Sequence, residues 1–562
     1  MDLATLNRPP ATRPLLLGSV AFAFFVILTR KLGALIVPNA VITKNVMLHI
    51  YWMRRFQDPD LFQNDLLTEF AASPFFAKKG LTTLYYLASY LVDPVTFCAV
   101  LPLILVPFTA FYLFRLGRLI KDNVTASSLV LLYLPMIWAR DPSGLQRDFV
   151  LPLLVPFLYY LLRQRYGIVV LLLVLEGLFY PVIFLVSLGV FVLSIVELTE
   201  KRLHVDRKKA IYLVASLALA FALLAPDYLG YRNERLGPMV TRAQTLQMPE
   251  FHDGGHDAHF RNSVLDYLVW NLLPENKERP RYTRFLGLLY GSAIAVVATL
   301  WKGKRWHLPR EIIALPLSAV GMFAVAHLFW PTFYHPSRYP ELAVPLFAMI
   351  VVAADFLTAV QVWAQFGRRN EFIPHSSFIP GMLLAGLLLS SYVLVWKKPI
   401  VYVCPSPALH EYLATLPRDV LIAGHPLDMN WVPTCARRKV LVDDMHAVAF
   451  YQNYYREVRQ RMFDFFNAYY ASSPDTIRQF TEKYGIDYLV VDKTDFPRGG
   501  LVVMKPLFEP FRGYVRQLIA RNAPAGFAIL DYPYGEVAAR SKDRFVIKVF
   551  RSTSGAVHKG AG

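Results

Sequence analysis

Long apolar runs recur through the first 397 residues and then give way to short ones. A helix needs about 20 mostly apolar residues to cross a bilayer. The runs that approach this length are Leu15–Val37, Val95–Phe114, Thr125–Trp138, Phe149–Leu162, Ile168–Phe179, Pro181–Leu198, Ala210–Ala225, Phe285–Trp301, Ile312–Trp330, Leu342–Trp363 and Phe378–Trp396. The first is interrupted by Arg30 and Lys31, and no small-residue cleavage site follows it. It reads as an anchor and not as a removed leader.

The stretch Ile168–Leu198 has 31 residues, too many for one ordinary span and few for two. Charge arbitrates. Basic clusters stand at Arg115/Arg118/Lys121, Arg163/Arg165, Lys201/Arg202/Arg207/Lys208/Lys209, Lys302/Lys304/Arg305/Arg310 and Arg368/Arg369. All fall on the cytoplasmic side only if the stretch crosses twice, turning near Tyr180–Pro181. The expected architecture is a polytopic α-helical membrane protein of about eleven spans. The membrane part covers 1–397, with outer loops over about 38–94 and 227–284. A C-terminal α/β domain, 398–562, lies outside the membrane with the N-terminus inside.

The tail changes period. Asp419–Pro426, Lys439–Met445, Asp487–Lys493, Phe527–Tyr532 and Phe545–Phe550 read as short buried strands. Ala449–Ala471 and Pro474–Tyr484 have helical spacing, with Ser473 as cap and Pro474 in the first turn. Alternating strands and helices predict a small α/β sheet.

Composition closes off the soluble alternatives. Hydrophobic residues make up 55% of 562 and charged residues 18%, against about 25% charged in soluble domains. Too few charges are present to cover several water-exposed domains. The net charge of +18 then points to anionic headgroups and lipid phosphates, not nucleic acid. From Lys397 onward the chain carries 23 Lys+Arg against 16 Asp+Glu, which suits a domain lying against phosphates or simply a soluble basic surface. Of three cysteines, Cys98 lies in an apolar run, and Cys404 and Cys435 lie in the tail. The latter two either pair, if the tail is extracytoplasmic, or remain thiols.

Candidate chemistry concentrates in the outer loops. In His49–Phe70, Asp58, Asp60 and Asp65 fall close together. Asp58–Pro59 predicts a helix start, and Leu61, Phe62, Leu66 and Phe70 an apolar stripe lying in the interface. A carboxylate held there can act as general base or hold a metal; capping already accounts for Asp58, which leaves Asp60 and Asp65 as the leading candidates. Trp138–Phe149 carries Arg140, Asp141, Arg147 and Asp148, and Trp330–Glu341 carries His335 and Arg338. Arginine is unexpected in short outer loops, and bidentate phosphate recognition supplies a reason; headgroup snorkelling is the alternative. Glu176, inside an apolar run, is either an intramembrane functional carboxylate or one that reaches the interface. His252, His256 and His259, with Asp253 and Asp257, are spaced like metal ligands, although Gly254–Gly255 argues for a polar or substrate-gating loop.

This layout resembles the GT-C class of polyprenyl-phosphate-dependent glycosyltransferases, which includes oligosaccharyltransferase subunits, protein O-mannosyltransferases and the aminoarabinose transferase of lipid A. The matching features are QDPDLFQND after the first span, about eleven spans, a second long outer loop and an extracytoplasmic tail. The tail segments LPRDVLIAGHPLDMN, ARRKVLVDD and YGIDYLVVDK look like those of bacterial members. A WWDYG-type signature and the tight Asp-Glu pair of the O-mannosyltransferases are absent. The resemblance implies inverting transfer of a sugar from a polyprenyl-phosphate donor to an extracytoplasmic glycan, lipid or protein acceptor, in a bacterial inner membrane. It implies a base among Asp58, Asp60 and Asp65, and a donor phosphate held by Arg147 and Arg338 with His335. A divalent metal is compatible with it and not required by the sequence.

Two other functions compete: a non-enzymatic scaffold or subunit of a glycan-assembly system, and a lipid or solute transporter. No repeat relates the halves of the chain, and few charges besides Glu176 interrupt the spans, both of which count against transport.

Overall fold

The computed structural model describes residues 12–37, 40–41, 45–140, 142–199, 202–229, 233–260, 308–333, 335–369, 402–497 and 505–550. The expected spans Phe285–Trp301 and Phe378–Trp396, together with Asp141 and the side chain of Arg140, lie outside this description.

Among the described residues, five helices are long and apolar enough to cross a membrane: Thr12–Ile36, Pro94–Ile120, Arg207–Ala225, Arg310–Leu328 and Pro336–Ala354. The described residues do not confirm a count of eleven. The run Phe149–Leu162 yields a helix, Val150–Leu162, of 13 mostly buried residues packed inside the bundle. The stretch Ile168–Leu198 divides at Tyr180 into Tyr166–Phe179 and Pro181–Ile195, as the charge argument requires. At 1.5 Å per residue these helices are about 21–23 Å long, short of the roughly 30 Å hydrocarbon core. Its end is not helical: Val196–Thr199 pairs with Arg202–Val205 as a hairpin.

Three described members of the basic clusters, Lys121, Lys209 and Arg310, lie at one end of the bundle. Ser194, in the last turn of Pro181–Ile195, offers its carbonyl to Lys209 Nζ at 2.9 Å and also to Arg310. These cations satisfy a helix C-terminus. Lys121 donates to the Ala354 carbonyl, about 21 Å along its helix from Pro340. The opposite end, at Tyr180–Pro181 and Pro336–Arg338, carries the loops expected to face outward.

The tail folds around a five-stranded mixed sheet ordered Lys439–Val440, Leu421–Gly424, Tyr488–Asp492, Arg544–Val549, Gly535–Ser541. The first three strands are parallel and the last two pairings antiparallel. Tyr488–Asp492 is buried at every position, as its unbroken apolar run demands. Helices Gln452–Tyr469 and Pro474–Tyr484 form where expected. Ser473 occupies the cap position without making a side-chain hydrogen bond. Phe527–Tyr532 is not a strand but a 3-10 turn, Ala528–Asp531. Cys404 and Cys435 form a disulfide, and Cys98 is a buried thiol.

The first outer loop corrects the expected interfacial helix. Residues 58–64 turn, with Phe62 and Asn64 at φ of 56° and 54°, backbone angles that no helix sustains. The helix begins at Leu66 and ends at Ala71, and its cap is Asp65, not Asp58. The apolar stripe does not face lipid. Leu66 and Phe70 are buried in the core of the tail, where Phe70 stacks on Tyr454 at 3.9 Å. The start of the tail helix Gln452–Tyr469, with Tyr451 and Tyr454 against Phe70, buries these side chains more completely than a bilayer interface would.

Candidate functional site

A cavity of about 850 Å³ opens where the bundle, the outer loops and the tail meet. Its lower wall includes Val182 and Leu185 from the first turns of Pro181–Ile195, and Tyr180 and Tyr339 stand beside them. Its upper wall is held by the tail. Val240 donates to the Phe450 carbonyl at 2.9 Å, Gln452 to the Pro238 carbonyl at 2.9 Å and Asn453 to the Leu236 carbonyl at 3.1 Å. Gly237 adopts φ of 73°, and a Cβ there would come within 2.6 Å of the Asn453 side chain, so the turn lies close against the tail helix only with glycine.

Three cations and a histidine line this space: Lys78, Arg147, Arg338 and His49. Arg147 lies on the 3-10 turn Gln146–Phe149. Asp148 fixes that turn by accepting from the amides of Ser143 at 2.8 Å and Leu145 at 3.0 Å. Arg338 ends a second 3-10 turn, Pro336–Arg338, just before the long helix starting at Pro340. Lys78 precedes helix Lys79–Ser89 and donates to the Pro74 carbonyl at 2.8 Å. Burial lowers the Lys78 ammonium to about 8, which leaves it charged at neutral pH. Burial, and then the charges of Arg147 and Arg338, hold the His49 imidazole at about 3. Of the described lining residues, Glu234 carries the carboxylate, and it is solvent-exposed. The site is therefore a cationic recess with apolar walls, suited to an anion joined to an apolar chain.

The structure brings Arg147 and Arg338 together and sends the three first-loop acids elsewhere. Asp58 pairs with Arg418 at 2.8 Å, and the exposed Asp60 lies 3.7 Å from the same guanidinium. Asp65 is buried and accepts from Thr68. None of the three lines the cavity. His335 lies next to the lining and not in it, with Nε2 3.8 Å from Asp257. Burial and the Arg338 charge lower it to about 4.

The three loop histidines do not converge on a metal position. His252 meets the Leu246 carbonyl at 2.9 Å, His256 bridges Asp257 and the Asp444 carbonyl, and His259 stacks on Trp330 at 3.7 Å. The His256 interaction pins this loop to the tail. Burial opposes protonation of His256, yet the Asp257 carboxylate raises it to about 9. Among the described residues, the cluster with metal-ligand spacing is Asp428, Asp492 and Asp495. Lys505 Nζ already sits among these carboxylates, and Arg544 bonds to Asp428 and Asp492. That arrangement is an ion network at the ends of two parallel strands whose carboxylates are already engaged by Lys505 and Arg544. Glu176 is fully buried, beside the Ser187 hydroxyl, and both its carboxylate oxygens lack a hydrogen-bond partner among the described residues.

Lys78, His49 and Glu234 escaped the sequence reading. Lys78 and Lys79 are basic residues in an outer loop, the same anomaly that flagged the arginines. His49 and Glu234 carry no such mark.

The folded chain is similar to solved structures of an archaeal oligosaccharyltransferase. The oligosaccharyltransferase of Archaeoglobus fulgidus in its apo form aligns at a TM-score of 0.51 with 11% identity, over 85% of this chain and 70% of that one. The same organism's oligosaccharyltransferase AglB, in complex with an inhibitory peptide and a dolichol-phosphate, aligns at 0.50 with 12% identity, over 96% and 74%. The chain has a GT-C-like fold. ArnT from Cupriavidus metallidurans aligns at 0.49 with 12% identity over 94% and 97%; the fold assignment rests on the archaeal structures. No protein-family model and no curated protein matches the sequence.

Proposed function

We propose that this protein is a membrane glycosyltransferase that takes a sugar from a polyprenyl-phosphate donor and passes it, with inversion, to an extracytoplasmic acceptor. The observation that carries this reading is the convergence of Arg147, Arg338 and Lys78 on one recess whose lower wall is membrane-helix side chains. The cations bind the phosphate and stabilise the charge that develops on the leaving group. Val182 and Leu185 give the isoprenoid a path from the bilayer. The recess is at the end of the bundle opposite Lys121, Lys209 and Arg310, which supports an extracytoplasmic face under the positive-inside bias. The Cys404–Cys435 disulfide supports the same side, because disulfides persist in oxidising compartments. We assign residues 1–397 to the membrane part and 398–562 to the extracytoplasmic part, in a bacterial inner membrane. An archaeal structural neighbour is described in complex with a dolichol-phosphate, which is consistent with a lipid-phosphate donor.

One observation favours a second reading. The first-loop acids expected to serve as base stand outside the recess, so a scaffold that retains the fold and holds a lipid phosphate is the alternative. The deciding experiment supplies the reconstituted protein with polyprenyl-phosphate sugars drawn from bacterial membranes and measures released polyprenyl phosphate. Release supports the enzyme. Binding of the carrier without release from any donor, with acceptor and partner fractions added back, supports the scaffold.

A further inference from the structure

The recess is bordered by a base, His49, that burial and then the neighbouring cations keep neutral. His49 closes the short helix Val46–His49. Its ring packs against Phe76 at 5.4 Å and borders the cavity. Nδ1 is enclosed and has no hydrogen-bond partner among the described residues. A buried polar atom left in this state is costly unless an occupant of the site relieves it.

The charged and titratable groups facing His49 come from four directions. They are Arg147 from the turn before Val150–Leu162, Arg338 from the turn before Pro340, Lys78 from the start of Lys79–Ser89, and His446 from the tail. Every one opposes a proton on His49. The nearby described carboxylate, Glu234, is exposed and does not figure among these influences.

We propose that His49 is the proton acceptor of the transfer reaction, switched on by the anion that binds between Arg147 and Arg338. This rests on the glycosyltransferase reading above. Burial is the larger influence holding His49 neutral; a phosphate in the recess offsets the cationic part and supplies a counter-charge that favours the imidazolium. In the transfer step the acceptor oxygen bonds to the anomeric carbon on the face opposite the phosphate. Its proton passes to the His49 imidazole. The bond between the anomeric carbon and the phosphate oxygen breaks, and its electron pair leaves on that oxygen. The phosphodiester donor carries one negative charge, whereas the monoester product carries up to two. The product complex is therefore an imidazolium beside a polyprenyl phosphate, and the proton departs when the product does.

The test uses the full chain in lipid nanodiscs and a short-chain polyprenyl phosphate, which is the product. Calorimetric titration near pH 7.5 in two buffers of different ionisation heat counts the protons taken up on binding. Wild type takes up about one proton more per phosphate bound than His49→Gln, whose affinity falls by less than about tenfold. Equal uptake in the two proteins overturns the proposal while leaving the phosphate site standing. Failure of wild type to bind the probe overturns both. If His49→Gln does not fold, ring-nitrogen NMR of labelled wild type gives the same answer: the His49 resonance moves to its protonated position with the probe, or stays neutral and overturns the proposal.

Discussion

The Asp65 carboxylate accepts two hydrogen bonds from Thr68, one from its amide at 3.0 Å and one from its hydroxyl at 2.7 Å. The Thr68 hydroxyl also meets Tyr51 at 2.9 Å. Asp65 is thus the cap of a buried helix whose side chains enter the tail's core. Asp65→Ala lowers the unfolding free energy by about 1–2 kcal/mol, read as an earlier thermal transition, while polyprenyl phosphate affinity per folded molecule stays unchanged. Asp60→Asn, on an exposed side chain, changes neither. Loss of binding in Asp60→Asn would return the first-loop acids to the site.

The His256–Asp257 pair makes the loop-to-tail junction sensitive to alkali. The folded imidazole titrates at about 9 against an ordinary 6.5. A group whose affinity for its proton rises on folding stabilises the fold fully below its unfolded pKa. That contribution disappears as pH rises through the folded value. His256→Gln should therefore lower the melting temperature most at pH 6, with a stability loss on the order of 3 kcal/mol, and the gap to wild type should close between pH 7 and about 9. Melting curves across that range in a constant-detergent series check it. A gap that widens towards pH 9 would reverse the assigned protonation.

The disulfide links residues 31 apart in sequence. Restricting a loop of that size in the unfolded chain stabilises by roughly 3.7 kcal/mol. Cys404→Ser/Cys435→Ser together should lower the melting temperature, and added thiol reductant should do the same to wild type and nothing further to the double variant. Without denaturant, alkylation should find little reactive thiol in wild type, since Cys98 is buried. Two readily labelled thiols would contradict the pairing.

Much of this was legible from period and charge. The division at Tyr180 followed from counting which side each basic cluster must occupy, and the buried strand Tyr488–Asp492 from an unbroken apolar run. Arg147 and Arg338 stood out because they break the charge rule of outer loops. What failed has physical causes. The pattern around Asp58–Pro59 and Leu61–Phe62 has the spacing of a helix, but Phe62 and Asn64 take left-handed backbone and Phe62 is buried edge-on against Tyr51, a tertiary contact that local propensity does not encode. Phe527–Tyr532 is apolar enough for a strand, yet it closes onto Ala471 through the Ala528 amide at 2.9 Å. Gly535–Ser541 went unread because a half-exposed edge strand has no apolar run. His49 is ordinary in sequence and becomes distinctive only when Arg147, Arg338 and Lys78 arrive from distant segments.

Titrating a short-chain polyprenyl phosphate into nanodisc-embedded wild type, Arg147→Ala, Arg338→Ala and the control Arg418→Ala tests the central claim most directly. Each cavity arginine supplies charge-assisted hydrogen bonds worth about 1.5–3 kcal/mol. Their single replacement should weaken binding by about 10- to 100-fold, with the control at wild-type affinity. Wild-type affinity in both Arg147→Ala and Arg338→Ala would contradict the account, because the recess would then not be where the lipid phosphate is held.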